Sequence, residues 1–421
     1  MIGLKKVLLC LSLLGGWGLG QGITFWPSSN PEEIEFARQV VAQWQKVRPD
    51  IPVKMQPLPA SRSTEEVLLA AIAARTTPDI CANIYPGAIS QFVAAGGLLA
   101  HNKLPDFRSF MLARSGEEVL ELYTSADGNV YQIPWKANPV MFAYNVALLK
   151  EAGIQPEELA TYSGFLEAAR KVKAKWGGKK YLYTPTVDVT WWQRFFDFYT
   201  LYVAASSGKT LLDKKGQVIF DNAAGTQVFA FLATLFKEGL APKGQSASNR
   251  FFEGVTLVEP AGPFTMPFYK RNAPKGFRFD LIPPPVPDSL QGKPVYTYGD
   301  PKNIGIFSTS KNPQAAWEFA KFILNPENDA LFLKITGQIP YRKDLLSNPA
   351  FRSIISADPY LKKFVEMVPR AVGVDDTPHL IEIYDAISRQ YDAAVVQGRI
   401  SPEEGIKKAA QTARDVISGF R

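Results

Sequence analysis

Cysteine and histidine are nearly absent from this chain, with two of each in 421 residues. So few thiols and imidazoles argue against zinc fingers, iron–sulfur clusters and His-rich metal sites, and no metal or cofactor is expected. Nucleophilic catalysis is thinned out as well. A Ser–His or Cys–His pair could draw only on His101 and His379, and each reads better as a surface or structurally satisfied residue. The chain has no G-x-S-x-G, no H-E-x-x-H, no P-loop, and no G-x-G-x-x-G opening a helix after a strand. Its only alternating glycines, Gly16 to Gly20, lie in the first residues. Internal repeats and low-complexity segments are missing too. No segment approaches the ~20 apolar residues of a membrane helix. The net charge of +7 is mild and dispersed, without a basic run, so no nucleic-acid partner is expected.

What is present is a globular composition: 46 % hydrophobic and 21 % charged residues, in a length that allows two to three domains. Aromatic residues reach 12 %, including 8 Trp. Residues 1–22 read as a secretory leader: Lys5 and Lys6, a short apolar stretch from Val7 to Leu14, and small residues around Gly18-Leu19-Gly20. Cys10 could suggest a lipoprotein box, but Leu9 precedes it where a small residue is wanted. The expected location is therefore periplasmic or extracellular. Without the leader only Cys81 remains, a buried small hydrophobe by its surroundings, so no internal disulfide supports the fold.

Downstream, strands and helices alternate. Ile23 to Trp26 reads as a strand. Asn30 caps a helix with Pro31 in its first turn and Glu33 at the capping-box position. A strand at Val53 to Leu58, a helix at Glu65 to Arg75, a strand from Pro78 to Ala82 and a short helix to Ala95 follow. This alternation predicts a parallel α/β sheet. Val130 to Tyr144 reads as extended. Helices are expected around Pro156–Trp176, Trp191–Tyr202 and Ala223–Glu238, and strands at Gly254–Glu259, Phe279–Ile282 and Asn303–Phe307. The Pro283-Pro284-Pro285-Val286-Pro287 run reads as stiff and extended, and an interlobe crossing is expected there. From Asn312 the pattern is helical almost to the end, with a second capping box at Ser401–Glu404.

Six short stretches carry a family pattern in order. They are Arg48-Pro49-Asp50-Ile51-Pro52-Val53; Ala70 to Ala74 with Thr77-Pro78-Asp79-Ile80; Ala95-Gly96-Gly97-Leu98; Tyr131-Gln132-Ile133-Pro134 followed by Ala143-Tyr144-Asn145 and Leu148 to Ile154; Ser310 to Phe319; and Gly337 to Pro340. The chain resembles the bacterial extracellular solute-binding proteins of carbohydrate ABC importers, often called family 1. Arg75 stands where that family often has Gly, and Val146-Ala147 replaces its usual Lys-Asp. The resemblance implies an α/β, two-lobe periplasmic-binding-protein-like fold with a ligand cleft between the lobes and hinge crossings. The expected division is residues 23–135 plus 286–325 for one lobe and 136–285 plus 326–421 for the other. It also implies a non-enzymatic monomer that closes around a sugar or oligosaccharide and delivers it to the permease subunits of an importer. Hinges are expected near Trp135, Pro285 and Asn325.

A sugar needs amides, carboxylates or guanidinium groups at its hydroxyl rim and an aromatic ring beneath a face. In open α/β sheets ligands sit beyond the carboxyl ends of strands, and the candidates come from there. Trp26 and Ser28 end the first strand, where capping and packing would explain them equally well. Asn83 and Tyr85 follow the third strand, a cleft-lining position in the resembling family. Trp135 and Asn138, with Lys136 between them, suit either a site or a packed hinge. Asp188, Trp191 and Trp192 open an aromatic segment whose later stripe is core, and one Trp of the pair is the expected stacker. Gly262 and Phe264 take the place of a turn that sets an aromatic under the sugar in the resembling family. Tyr298 and Asp300 precede a strand, with Asp300 a good acceptor for vicinal hydroxyls. Arg342 matches a position that often carries a basic contact, and Tyr384 is an extra wall. Two other readings stay open: a receptor for a phosphorylated polyol such as glycerol 3-phosphate, using Lys136 and Arg342, and a secreted carbohydrate-active enzyme using two carboxylates.

Overall fold

The computed structural model describes residues 22–60, 63–125, 127–244 and 250–419. The leader expected over residues 1–22 lies outside them, apart from Gly22. Among the described residues ten strands follow in chain order: β1 (Ile23–Trp26), β2 (Val53–Met55), β3 (Ile80–Ile84), β4 (Met141–Asn145), β5 (Tyr181–Tyr183), β6 (Thr256–Ala261), β7 (Phe279–Ile282), β8 (Thr297–Tyr298), β9 (Asn303–Ile306) and β10 (Ala371–Val372).

They build two four-stranded sheets, β2-β1-β3-β9 and β5-β6-β4-β7, and a two-stranded joint, β10-β8. The predicted parallel sheet is correct for β1 against β2 and β3. It is corrected at β9, which runs antiparallel to β3 with Cys81 opposite Gly305. The second sheet is mixed as well, with β4 antiparallel to both β6 and β7. The alternation rule assumes that each strand returns by a helix over the same sheet. Here the chain leaves the first sheet, builds the second, and comes back as β9 from the other direction.

The helix Pro31–Val47 shows how local chemistry sets the elements. The Asn30 side chain accepts the N–H groups of Glu32 at 2.9 Å and Glu33 at 3.3 Å, and Pro31 loses nothing in a first turn that has free N–H groups anyway. Phe36, Ala37, Val40 and Trp44 form its buried stripe. The expected capping box does not close. The Glu33 carboxylate instead takes Lys136 Nζ at 2.6 Å and Gln338 Nε2 at 2.7 Å, because burial makes a cation and an amide better partners than a backbone N–H at the helix start. The second box at Ser401 also stops halfway: Ser401 caps Glu404, whose exposed side chain pairs with Lys408 one turn on instead.

The expected helix from Trp191 to Tyr202 is broken in two. A tight turn, Trp191–Phe195, precedes a helix at Phe198–Ala205, since Asp197 turns back to cap Phe198 N and pair with Arg194. Of the extended stretch from Val130 to Tyr144, β4 forms a strand of the second sheet and Ile133 makes a single bridge to Ile304 of β9, and β6 begins two residues later than expected.

One apolar core gathers Phe25, Phe36, Trp44, Ile80, Trp317 and Phe319 around the first sheet. Another gathers Phe142, Phe165, Tyr199, Phe229 and Tyr391 around the second. Trp44 and Trp317 are packing residues, each donating its indole N–H to a backbone carbonyl at 2.9 Å. Cys81 is fully buried, and burial pushes its thiol up to about 12. His101 is a satisfied structural residue: Nδ1 lies 3.2 Å from the Val130 carbonyl and Nε2 accepts Ile306 N–H at 2.9 Å. Bridges at Lys136–Pro340 and Pro139–Gly299, with the β8–β10 pair, tie segments that run from one sheet to the other to each other and to the chain beyond β9.

Candidate functional site

A cavity of about 360 Å³ opens between the two sheets' helices. One side carries Ala60, Ser63, Thr64, Glu65, Tyr85, Asp300 and Lys302; the other carries Trp191, Trp192, Phe195 and Phe196. The first side comes from the carboxyl ends of β2 and β3 and the lead-in to β9. The second comes from the broken segment beyond β5, where side chains follow a tight turn rather than a buried helix.

The aromatic wall is held from behind. Asp188 Oδ1 accepts Thr190 N–H at 2.8 Å and its hydroxyl at 2.6 Å, and those bonds hold its carboxyl below the usual range. Buried Arg194 donates to the Asp188 carbonyl at 3.0 Å, pairs with Asp197 at 3.0 Å and lies 3.8 Å over the Tyr391 ring. Pinned in this way, the turn buries Trp191 edge-on against Phe195 and leaves Trp192 40 % exposed. Phe264 extends the wall, its ring 6.3 Å from that of Phe196. Gly262 lets that ring fold back, because a Cβ there would lie 2.3 Å from it.

Opposite stands a polar floor. The hydroxyls of Tyr85 and Tyr298 are 3.2 Å apart, and Tyr298 donates to Asp300 Oδ1 at 2.9 Å. Burial raises the Tyr298 phenol well above its ordinary range, so it remains a donor. Lys302 Nζ reaches the same Asp300 oxygen at 2.8 Å and sits 4.2 Å over the Tyr85 ring. Glu65 is buried at the start of the helix Thr64–Ala74; burial pushes its carboxyl up, and the charge of Lys302 opposes that. Asn83 supports the rim, donating to Thr64 Oγ1 at 3.0 Å. The ensemble offers apolar faces on one side and hydrogen-bond acceptors on the other. That suits an uncharged, hydroxyl-rich solute. Among the described residues no group of three or more His, Cys, Asp or Glu is placed to hold a metal ion.

The structure thus brings together Tyr85, Trp191, Trp192 and Asp300 at the cavity surface, with Asn83, Asp188, Gly262, Phe264 and Tyr298 directly behind. The other candidates lie elsewhere. Trp135 is 2 % exposed, packed 4.5 Å from the Phe332 ring with Lys136 4.6 Å above it, because an indole between two apolar helices gains more from burial than from a wet cleft. Asn138 is buried, donating to Gln338 Oε1 at 2.9 Å while its backbone carbonyl accepts Asp300 N–H at 2.8 Å; it anchors the site's backbone. Ser28 accepts Asn30 N–H at 3.2 Å as part of the cap, and Trp26 packs beside the cluster of Leu58 and Leu68. Arg342 is committed to Asp329 at 3.0 Å and Asp344 at 2.7 Å, since a fully buried carboxylate needs its cations. Tyr384 packs behind Phe195 at 4.5 Å.

Sequence reasoning misses Ser63, Thr64, Glu65, Lys302, Phe195 and Phe196. The first three do carry a signal: they follow β2, and the rule that ligands sit past strand ends applies there too. Lys302 lies two residues past Asp300. The two Phe fall on spacing that reads as a core stripe.

A family model described as "Bacterial extracellular solute-binding protein" matches residues 39–362. An "Arabinooligosaccharide-binding protein" of Bacillus subtilis (strain 168) is 24 % identical over 392 residues, 88 % of this chain and 82 % of that protein. Among solved structures, an uncharacterized protein of Listeria monocytogenes EGD-e superposes with a TM-score of 0.79 at 28 % identity, covering 94 % of this chain and 99 % of the other. A cyclic alpha-maltosyl-1,6-maltose binding protein from Arthrobacter globiformis shares the fold at the same TM-score and 19 % identity, covering 94 % and 99 % of the two chains.

Proposed function

We propose that this chain, which belongs to the bacterial extracellular solute-binding proteins, holds a sugar or oligosaccharide in the cleft between its lobes and hands it to the permease of an ABC importer without turning it over. The observation that carries this reading is the cavity itself, in which Trp191 and Trp192 face the carboxylates of Glu65 and Asp300. A sugar presents C–H faces to the first pair and hydroxyl donors to the second. The named ligands of the Bacillus and Arthrobacter proteins, both oligosaccharides, support the same class.

Tyr85, Trp191, Trp192 and Asp300 are the direct contacts in this reading. The lobes are residues 23–135 plus 286–325 and 136–285 plus 326–421, moving about hinges near Trp135, Pro285 and Asn325. The ion pair of Arg271 with Glu32 joins the helix after β6 to the helix after β1, a contact between the proposed lobes. The protein acts as a monomer, exported by the leader at residues 1–22 to the periplasm or exterior. The two cations of the phosphorylated-polyol reading are committed elsewhere, Lys136 to Glu33 and Arg342 to Asp329 and Asp344, and the cation that does line the cavity, Lys302, is held by Asp300.

Calorimetry and Trp fluorescence against arabinotriose, maltotriose, galactose-based oligosaccharides and monosaccharides test the reading. Stoichiometric binding without product, with a smaller radius of gyration in the complex, is expected. Tight binding of a different solute class and of no sugar refutes it, and turnover refutes the non-enzymatic role.

A further inference from the structure

Three ionisable side chains, Glu65, Asp300 and Lys302, line the cleft floor, and the one cation among them is engaged on two sides. The Lys302 ammonium donates to Asp300 Oδ1 at 2.8 Å and rests on the Tyr85 ring at 4.2 Å. Tyr298 takes the same Asp300 oxygen at 2.9 Å. Both bonds fall on Oδ1, which leaves Oδ2 for the cavity. Glu65, 7 % exposed, lines the same cavity. Lys302 and Asp300 are the charges that act on Glu65, one attractive and one repulsive, with the Ser63 hydroxyl beside it. Below the floor Glu33 and Lys136 are paired at 2.6 Å and compensate each other.

We propose that Lys302 is a positioning residue: it holds Asp300 by one oxygen and sets its ammonium at the same cavity surface as Glu65, so that both acids present lone pairs to the hydroxyls of the bound saccharide. This deepens the saccharide reading and rests on it. Without the ammonium, the leading opposition to the burial that pushes the Glu65 carboxyl up is lost, and Asp300 Oδ1 keeps only the Tyr298 hydroxyl. The floor then offers one acceptor fewer, and Asp300 is free to turn. The aromatic wall is untouched, so stacking survives while rim recognition weakens.

Lys302→Met, Lys302→Arg and the double variant Lys302→Met/Glu65→Gln test this in the full chain. Calorimetry with arabinotriose and maltotriose is run from pH 5.5 to 8.5. In Lys302→Met the dissociation constant is expected to rise about tenfold or more at pH 7. The pH at which affinity falls by half is expected to move up by about one unit or more. Lys302→Arg keeps the charge and is expected to restore the wild-type pH profile. The double variant is expected to lose the extra pH dependence. A second readout needs no sugar: the ¹³C carboxyl resonance of Glu65 is expected to titrate at higher pH in Lys302→Met than in wild type. If Lys302→Met binds with the wild-type constant and pH profile, or weakens equally at every pH with Glu65 titrating as before, the proposal is overturned. Wild-type protein that binds neither sugar counts against the saccharide reading, and the Glu65 titration still decides the role of Lys302.

Discussion

Replacing Arg342 by alanine separates two roles that its sequence position left open. Its guanidinium is nearly buried, 3.0 Å from Asp329 and 2.7 Å from Asp344, and lies 5.2 Å over the Phe351 ring. Asp329 is fully buried and also grips Arg114 with both oxygens, at 3.0 and 3.2 Å. Breaking a buried pair outright costs about 3–5 kcal/mol, because a lone charge is left behind. Here Asp329 keeps Arg114 and Asp344 turns to water, so the loss should be smaller, about 2–3 kcal/mol, mostly one charge-assisted hydrogen bond and the packing on Phe351. Urea unfolding followed by far-ultraviolet dichroism reads that loss, and calorimetry with a bound oligosaccharide reads affinity. A lowered midpoint with a dissociation constant within about twofold of wild type is expected. A stable variant that has lost most of its affinity would refute the reasoning and return Arg342 to the ligand.

Trp192→Ala removes the exposed ring at the cavity wall and is expected to weaken sugar binding about tenfold with little change in stability, as measured by calorimetry and thermal unfolding. Burial lifts the Glu259 carboxyl to about 7 from its ordinary 4.5. As pH rises the unfolded chain releases that proton first, so stability declines between pH 4.5 and 7 by up to about 3 kcal/mol and is level above. Glu259→Gln, still able to accept from Tyr269, is expected to flatten that decline in urea midpoints. Burial lowers His101 to about 4 from 6.5, with the opposite sign: the unfolded chain binds the proton first, so stability is lost as pH falls from 6.5 toward 4, and His101→Gln flattens that limb. Arg75→Gly is expected to raise stability by about 0.5–1 kcal/mol in the same assay, since Arg75 ends its helix at φ 56°.

That last position shows what a sequence pattern can carry. The departure from the family's Gly at Arg75 is plain in the residues themselves, and the left-handed helix end explains why Gly is usual there. Caps are legible in the same way: Asn30, Ser401 and Pro31 act as read, because capping depends on neighbours within a few residues. The second halves of the two capping boxes are not, because Glu33 and Glu404 find partners elsewhere. The segment Trp191–Tyr202 looks like one amphipathic helix by spacing, yet Arg194 and Asp197 break it through a buried pair that periodicity does not register. The candidate site divides along the same line. Residues just past strand ends, Tyr85 and Asp300 among them, reach the cavity because sheet geometry projects them there. Trp135 and Arg342 have the right chemistry but meet buried partners, Phe332 and Asp329, on a helix that the local pattern does not connect to them.

The antiparallel strand β9 has a temporal side as well. Ile80 pairs with Ile306, so the first sheet lacks an edge until the chain has been made past residue 306, nearly three quarters of its 421 residues. Contacts of such long sequence separation form late, since the intervening loop must close before they yield anything. A ribosome or a secretion channel releasing this protein from its N-terminus therefore handles an incomplete first lobe for most of the chain's length. For a protein of an extracellular family that delay means the N-terminal segment stays threadable until β9 has been made.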